Sequence, residues 1–471
     1  MKRALLVGGG GFCLLHVVAV AALVVAGVPQ TASGMAAHSV CSGVYLAGRE
    51  ARSVLEEDVL PASVFLRPLG ITWDAAAQAV TARFAGTFER RAQYLAERGC
   101  VLDVDASTAL PVAAPQRARA VPWPEGDLPS PRGEWDDAVD VERLARLIDA
   151  SFADAGDPGS ANARGIAVVH RGRLLVNRQA PGFGAGTPLH GWSMAKTVLG
   201  MLAHKLAAEQ RLALDANVVD AFGAKRAPAW VDAWRGDARS RITVADLLYM
   251  RDGLDDDESY LPWGNVVRML WSRPDAAAYA AEAHAGVPPR KRWHYSSGSA
   301  NILAAVLRGR FESDAAYWAY PKAALFDPIG AHSATFETDA EGTWIGSSYL
   351  WASTADWARI GQLMLDDGRW RGREVLAPGW LARAMTASLD AGPGLGYGAH
   401  IWRVGHPTEG ACRRHALPED ALAMTGHWGQ IMAIVPSRHA VIVRLGWTFD
   451  ASRFDGCAFV ADVLRALGER H

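Results

Sequence analysis

Ser193 and Lys196 stand three residues apart in the stretch His190-Gly191-Trp192-Ser193-Met194-Ala195-Lys196-Thr197. On a helix this spacing puts both side chains on one face, about 5–6 Å apart at Cβ. A lysine amine at that separation reaches a serine oxygen and can take its proton. Serine is a poor nucleophile until a base activates it, and lysine is a usable base only well below its free pKa of about 10.4. Burial and the positive end of a helix dipole both push in that direction. Taken alone, the pair reads first as an N-cap serine followed by a solvated lysine.

The surrounding sequence supplies the helix. Met194, Val198, Leu199, Leu202 and Leu206 recur at three- and four-residue steps, and Pro181 to Pro188 before them is glycine-rich loop. Ser193 is thereby placed near a helix N-terminus, where its own backbone N–H is free to form half of an oxyanion hole. Two further segments carry chemistry. In His294-Tyr295-Ser296-Ser297-Gly298 a tyrosine precedes an apolar helical run from Ile302 to Leu307. A phenol beside a lysine ammonium loses its proton more readily and can shuttle protons. In Thr425-Gly426-His427-Trp428-Gly429-Gln430 a glycine-bracketed turn enters the apolar segment Ile431–Val435, and its backbone can give the second oxyanion donor. The acidic run Asp255-Asp256-Asp257-Glu258 reads first as a solvated loop and second as a binder of a substrate amine.

Together, Ser193-x-x-Lys196, Tyr295-x-Ser297 and His427-Trp428-Gly429 resemble the three motifs of the penicillin-recognising serine hydrolases. That group contains class C β-lactamases, D-alanyl-D-alanine carboxypeptidases, D-aminopeptidases, esterases and 6-aminohexanoate-dimer hydrolases. The resemblance covers about residues 140–471 and is similar in motif to the 6-aminohexanoate-dimer hydrolase and esterase branch. It implies Ser193 as the acylated nucleophile, Lys196 as its base and Tyr295 as proton shuttle. It also implies an oxyanion hole from the backbone N–H groups of Ser193 and Gln430, and substrate contacts from Ser297, His427, Trp428 and Gly429. Ser297 stands where the β-lactamases carry Asn, His427 where they carry Lys, and Trp428 where a small hydroxyl residue is usual. A neutral histidine and a bulky indole make a weak carboxylate clamp, which points away from penicillins. The expected activity is hydrolysis of a small ester or amide through an acyl-enzyme. Carboxypeptidase or β-lactamase activity is the alternative, and a catalytically silent exported binding protein is a third reading.

The fold implied is α+β and β-lactamase/transpeptidase-like. The hairpin Ile166–His170 with Leu174–Val176 and the late segments 398–403, 430–435 and 440–445 form one antiparallel sheet from both ends of the unit. Flanking helices and a mostly helical insertion (about 200–390) complete it, with helices over Val141–Phe152 and Ala458–Leu467. Neither a Gly-x-Ser-x-Gly elbow after a strand nor a His-Glu-x-x-His or Walker motif is present. No metal or cofactor is expected, and 48 basic against 50 acidic residues give no footprint for nucleic acid.

Lys2 and Arg3 precede an uncharged, mostly apolar run from Ala4 to Val28, long enough to span a bilayer, with a candidate cleavage site at Ala32-Ser33-Gly34. Signal peptide and inner-membrane anchor compete for residues 1–35, and both put the body on the periplasmic side. Outside the run lie Cys41, Cys100, Cys412 and Cys457, for which three pairings exist; local pairing joins Cys41 to Cys100 and Cys412 to Cys457. Residues 36–110 form a small region of unknown role with helices expected at Asp74–Phe84 and Arg90–Ala96. The Pro/Ala-rich 111–137 reads as a linker, and the catalytic unit as 138–471.

Overall fold

The computed structural model describes residues 21–104, 119–222, 227–386, 396–405 and 411–468. Its first part runs through helix α1 (Val28–Tyr45) and strands β1 (Leu69–Asp74), β2 (Ala79–Phe84), β3 (Phe88–Leu95) and β4 (Gly99–Leu102). The catalytic unit follows with α2 (Val141–Ser151), β5 (Ala163–His170), β6 (Arg173–Gln179), α3 (Met194–Ala208), α4 (Asn265–Trp271), α5 (Ser297–Arg308) and α6 (Thr354–Leu365). It closes with β7 (Trp402–Arg403), β8 (Leu422–Gly426), β9 (Gln430–Val435), β10 (Ala440–Gly446) and α7 (Gly456–Ala466).

One six-stranded antiparallel sheet, ordered β7-β8-β9-β10-β5-β6, is assembled from the two ends of this unit. Alternate residues of its central strands serve different layers. Ile166, Val168, Ile431, Ala433 and Ile442 pack with Leu144, Ile148, Val460 and Leu464 of α2 and α7. Ala167, Val169, Met432, Ile434 and Val441 pack with Val198, Leu202, Trp357 and Ile360 of α3 and α6. A sheet covered on both faces needs strands apolar on both sides, which is why these segments read as continuous apolar runs. The segment between β6 and β7 is dominated by helices, as expected of the inserted region.

The N-terminal part differs from its sequence reading. Residues 74–84 and 90–96 form strands β1 to β3 of a four-stranded antiparallel meander, β1-β2-β3-β4, rather than helices. Asp74 Oδ1 accepts the Ala76 and Ala77 N–H groups at 2.9 and 3.0 Å, which turns the chain back instead of starting a helix. Val80, Ala82 and Ala92 are fully buried under α1, so a period-2 face outweighs the helix propensity of alanine. Ala32-Ser33-Gly34 lies inside α1 with all three residues buried. A Cβ on Gly34 would sit 2.0 Å from the Trp271 carbonyl oxygen, so only glycine lets α1 approach α4. Among the described residues no helix is long and apolar enough to cross a membrane, and residues 1–20 lie outside the described ones.

Nor is the whole of 111–137 a linker. Residues 111–118 lie outside the described part, but Trp123 is buried and Asp127 accepts from the buried Arg359 of α6 at 2.8 Å. The carbonyl of Pro124 takes a second bond from Arg359, so this crossover is stitched to the catalytic unit. Both disulfides are the local ones, Cys41–Cys100 and Cys412–Cys457. The first ties α1 to β4 beside Glu337, which is fully buried and accepts from Ser42 Oγ, the Cys100 N–H and Trp351 Nε1 at 2.7–2.8 Å. Burial pushes the Glu337 carboxyl up to about 7.

Cys41 and Cys100 are 59 residues apart. Loop-closure entropy then assigns the bridge about 4 kcal/mol. Replacing both by serine should lower unfolding free energy by about that amount in denaturant titration, leaving the meander and α1 as the least stable part by amide exchange.

Candidate active site

Ser193 occupies the N-cap of α3, and Lys196 lies one turn in, with its side chain 1% exposed. The approach to the nucleophile is strained: Trp192, immediately before it, has φ +49°, a region that costs a bulky residue about 1–3 kcal/mol. Packing holds it there. The Trp192 ring meets Trp428 edge-on at 5.1 Å, His427 at 5.3 Å and Trp271 at 6.3 Å. Gly426 closes on the same turn, since a Cβ there would lie 2.3 Å from the Gly191 carbonyl.

Lys196 Nζ contacts three oxygens: Ser193 Oγ at 2.9 Å, Ser297 Oγ at 3.0 Å and the Ser347 carbonyl at 3.0 Å. Helix α5 supplies one of these oxygens and braces another. Ser297 is its first residue, and Asn301 Oδ1, one turn on, accepts the Ser347 N–H at 3.1 Å and so fixes that carbonyl. Glu258 then decides where the hydrogens point. Its carboxylate accepts both the N–H and the Oγ–H of Ser297 at 2.7 Å, at the positive end of α5. With the Ser297 hydrogen committed to Glu258 and Ser347 offering only a carbonyl, Ser193 is the one contact that can donate to a neutral Lys196 amine. Burial pulls the Lys196 pKa down to about 8, with the Glu258 charge opposing.

Tyr295 lies at the end of the loop before α5, its ring 4.8 Å from Lys196 Nζ and its phenol within reach of Ser193. The phenol is not made acidic, as the sequence reading supposed: burial and the Glu258 carboxylate raise its pKa, so it stays protonated and serves as a donor. Tyr260, which carries no motif, also reaches Ser193 and Ser297, and its pKa is raised by the same causes. It stacks on His427 with centroids 4.1 Å apart and planes within 9°. The loop 255–258 is accordingly no solvated turn throughout: Glu258 holds Ser297, and Asp256 accepts from Ser296 Oγ at 2.8 Å. A lone tyrosine and an acidic run carry no spacing signal, and only the fold brings them to Ser193.

His427, Trp428 and Gly429 form the turn between β8 and β9, with Trp428 at φ +58° and Gly429 at φ +82°. Gln430 Nε2 braces the turn from within, donating to the His427, Trp428 and Gly446 carbonyls at 2.6–3.2 Å. His427 carries no charge near neutrality, because burial lowers its pKa to about 4. Among the described residues no group of histidine, cysteine and carboxylate side chains could hold a metal ion.

A serine on a helix N-cap, a buried lysine beside it and a two-faced antiparallel sheet are the arrangement of a serine hydrolase of the β-lactamase type. The chain belongs to the Beta-lactamase family, whose model matches residues 144–456. In fold it is similar to a protein described as a 6-aminohexanoate-dimer hydrolase from Bacillus anthracis, at TM-score 0.55 and 20% identity over 72% of this chain and 85% of that one. It is also similar to EstCE1, a hydrolase with promiscuous acyltransferase activity, at TM-score 0.53 and 18% identity over 69% and 98%. A penicillin-binding protein homologue from Caulobacter crescentus gives TM-score 0.51 and 16% identity over 70% and 98%. No curated protein sequence matches the chain.

Glu258 holds the Lys196 pKa up, so removing its charge should let that pKa fall further. The acid limb of kcat/KM is expected near pH 8 in the native enzyme. In Glu258→Gln it should move to lower pH, and a limb that moves upward or stays would contradict this reading of the carboxylate.

Proposed function

We propose that the chain hydrolyses an ester or amide bond through an acyl-enzyme on Ser193. The observation that carries the proposal is the hydrogen-bond arrangement at Lys196, whose neutral lone pair has only the Ser193 hydroxyl to receive from. In acylation Lys196 takes the Ser193 proton as Oγ attacks the carbonyl carbon. The backbone N–H groups of Ser193 and Gln430 are assigned to the developing oxyanion. Collapse breaks the bond to the leaving group, which departs protonated by the Lys196 ammonium with Tyr295 passing the hydrogen. Water then attacks the acyl carbon with the same groups in reverse roles, freeing the acid and restoring Ser193.

Neutral His427 and the Trp428 indole support an esterase or amidase over a β-lactamase, since neither offers the cation that a penicillin carboxylate would need. Ser297, held by Glu258, has a hydroxyl where a carboxamide would be required to grip a peptide-like amide. Two disulfides support an exported, periplasmic setting for the enzyme.

A fluorophosphonate should label the native enzyme on Ser193 and leave Ser193→Ala unlabelled. Lys196→Ala should retain the fold and lose at least about 1,000-fold in kcat, in line with removal of a nucleophile's base. Label appearing elsewhere in Ser193→Ala would sink the assignment. A chromogenic cephalosporin should turn over at least about 100-fold more slowly than a short-chain phenyl ester.

A further inference from the structure

One side chain away from Ser193, across Tyr260, lies a cavity of about 250 Å3 whose walls come from two different parts of the chain. Tyr260, Trp271, His427 and Trp428 belong to the catalytic unit. Ala32 and Met35 of α1, with Ala62, Ser63 and Phe65 from the segment after it, belong to the N-terminal part, upstream of the family match. Tyr260 joins cavity to chemistry, because its hydroxyl reaches Ser193 while its ring lines the cavity. No lining residue carries a charge near neutrality, His427 being neutral. The chain next to the lining residues is apolar even where it meets water. Val64 and Phe65 are 62% and 52% exposed, and Leu261 and Trp263, on either side of the lining Pro262, are 54% and 49% exposed. Exposed apolar residues gathered around one cavity mark a binding surface.

We propose that this cavity is a subsite for an apolar chain of the substrate, and that the N-terminal part builds its outer wall. The inference rests on the Ser193 hydrolase reading and deepens it: the substrate class becomes esters or amides bearing a medium-length aliphatic chain. At roughly 30 Å3 per water-sized group the cavity holds about eight chain atoms. Each methylene buried there should raise kcat/KM by about two- to four-fold. The chain belongs to the acyl or to the leaving side of the scissile bond, and the two sides are separable by experiment.

Two series of nitrophenyl and alkyl esters test this, one lengthening the acyl chain from two to twelve carbons at constant alcohol, the other lengthening the alcohol at constant acyl group. In one of the two, kcat/KM should climb at least about 50-fold between two and eight carbons and then level off. Filling the cavity from α1 with Ala32→Trp, or from the segment after it with the partly exposed Ser63→Trp, should cut the eight-to-two-carbon ratio at least tenfold. The Ser63 variant keeps the test open if the α1 variant does not fold. Flat profiles in both series, or a rise equally steep in both variants, would overturn the subsite. Absence of all ester turnover together with no labelling of Ser193 would remove the hydrolase reading and the subsite with it, whereas turnover with flat profiles removes the subsite alone.

Discussion

A lysine amine taken out of water must be surrounded by acceptors, and the three oxygens around Lys196 come from α3, from α5 and from the loop that Asn301 holds. Leaving such a charge unpaired costs several kcal/mol, so these elements can pack only in the arrangement that also presents Ser193. The same burial brings the amine toward a usable base. Glu258 works in two directions at once. It orients the Ser297 hydrogen, which leaves the Lys196 lone pair to Ser193, and its charge limits how far the lysine pKa falls. Stability and reactivity are thus balanced by one carboxylate at the start of α5.

The aromatic cluster around Trp192 does the complementary work. A positive-φ tryptophan before the nucleophile is tolerable only because Trp428, His427 and Trp271 enclose its ring. Those same residues face the cavity that α1 closes from outside. The N-terminal part is fastened by groups that leave little freedom: the Cys41–Cys100 bridge, the buried Glu337, and Asp58 bound by Arg49 and Arg164 at 2.5 Å each. Anchors of that kind suit a wall that must keep its distance from Tyr260 and Trp428.

Much of this was legible in the sequence where the pattern was local. The hairpin 166–176 and the segments 430–435 and 440–445 announced a buried sheet through apolar runs, and the helix after Ser193 announced itself through its three- and four-residue steps. Spacing marked Ser193 and Lys196, and order along the chain marked Tyr295, Ser297 and the His427–Gly429 turn. Residues 74–84 and 90–96 read as helices because alanine and arginine favour them, and only the overlying α1 makes Val80, Ala82 and Ala92 a sheet face. Glu258 acts on Ser297, 39 positions away, and Ser347 on Lys196, 151 positions away, and Tyr260 is likewise remote from Ser193; no local pattern encodes such contacts.

The protonation state of Lys196 decides whether Ser193 can be activated. Selective 13C labelling at lysine Cε, with Lys196 assigned by its absence in Lys196→Arg, would follow its titration directly in the resting enzyme. A midpoint near 8 is predicted from its burial. A midpoint at the free lysine value of about 10.4 would contradict it, because the amine would then carry its proton throughout the working range and could not receive the proton of Ser193.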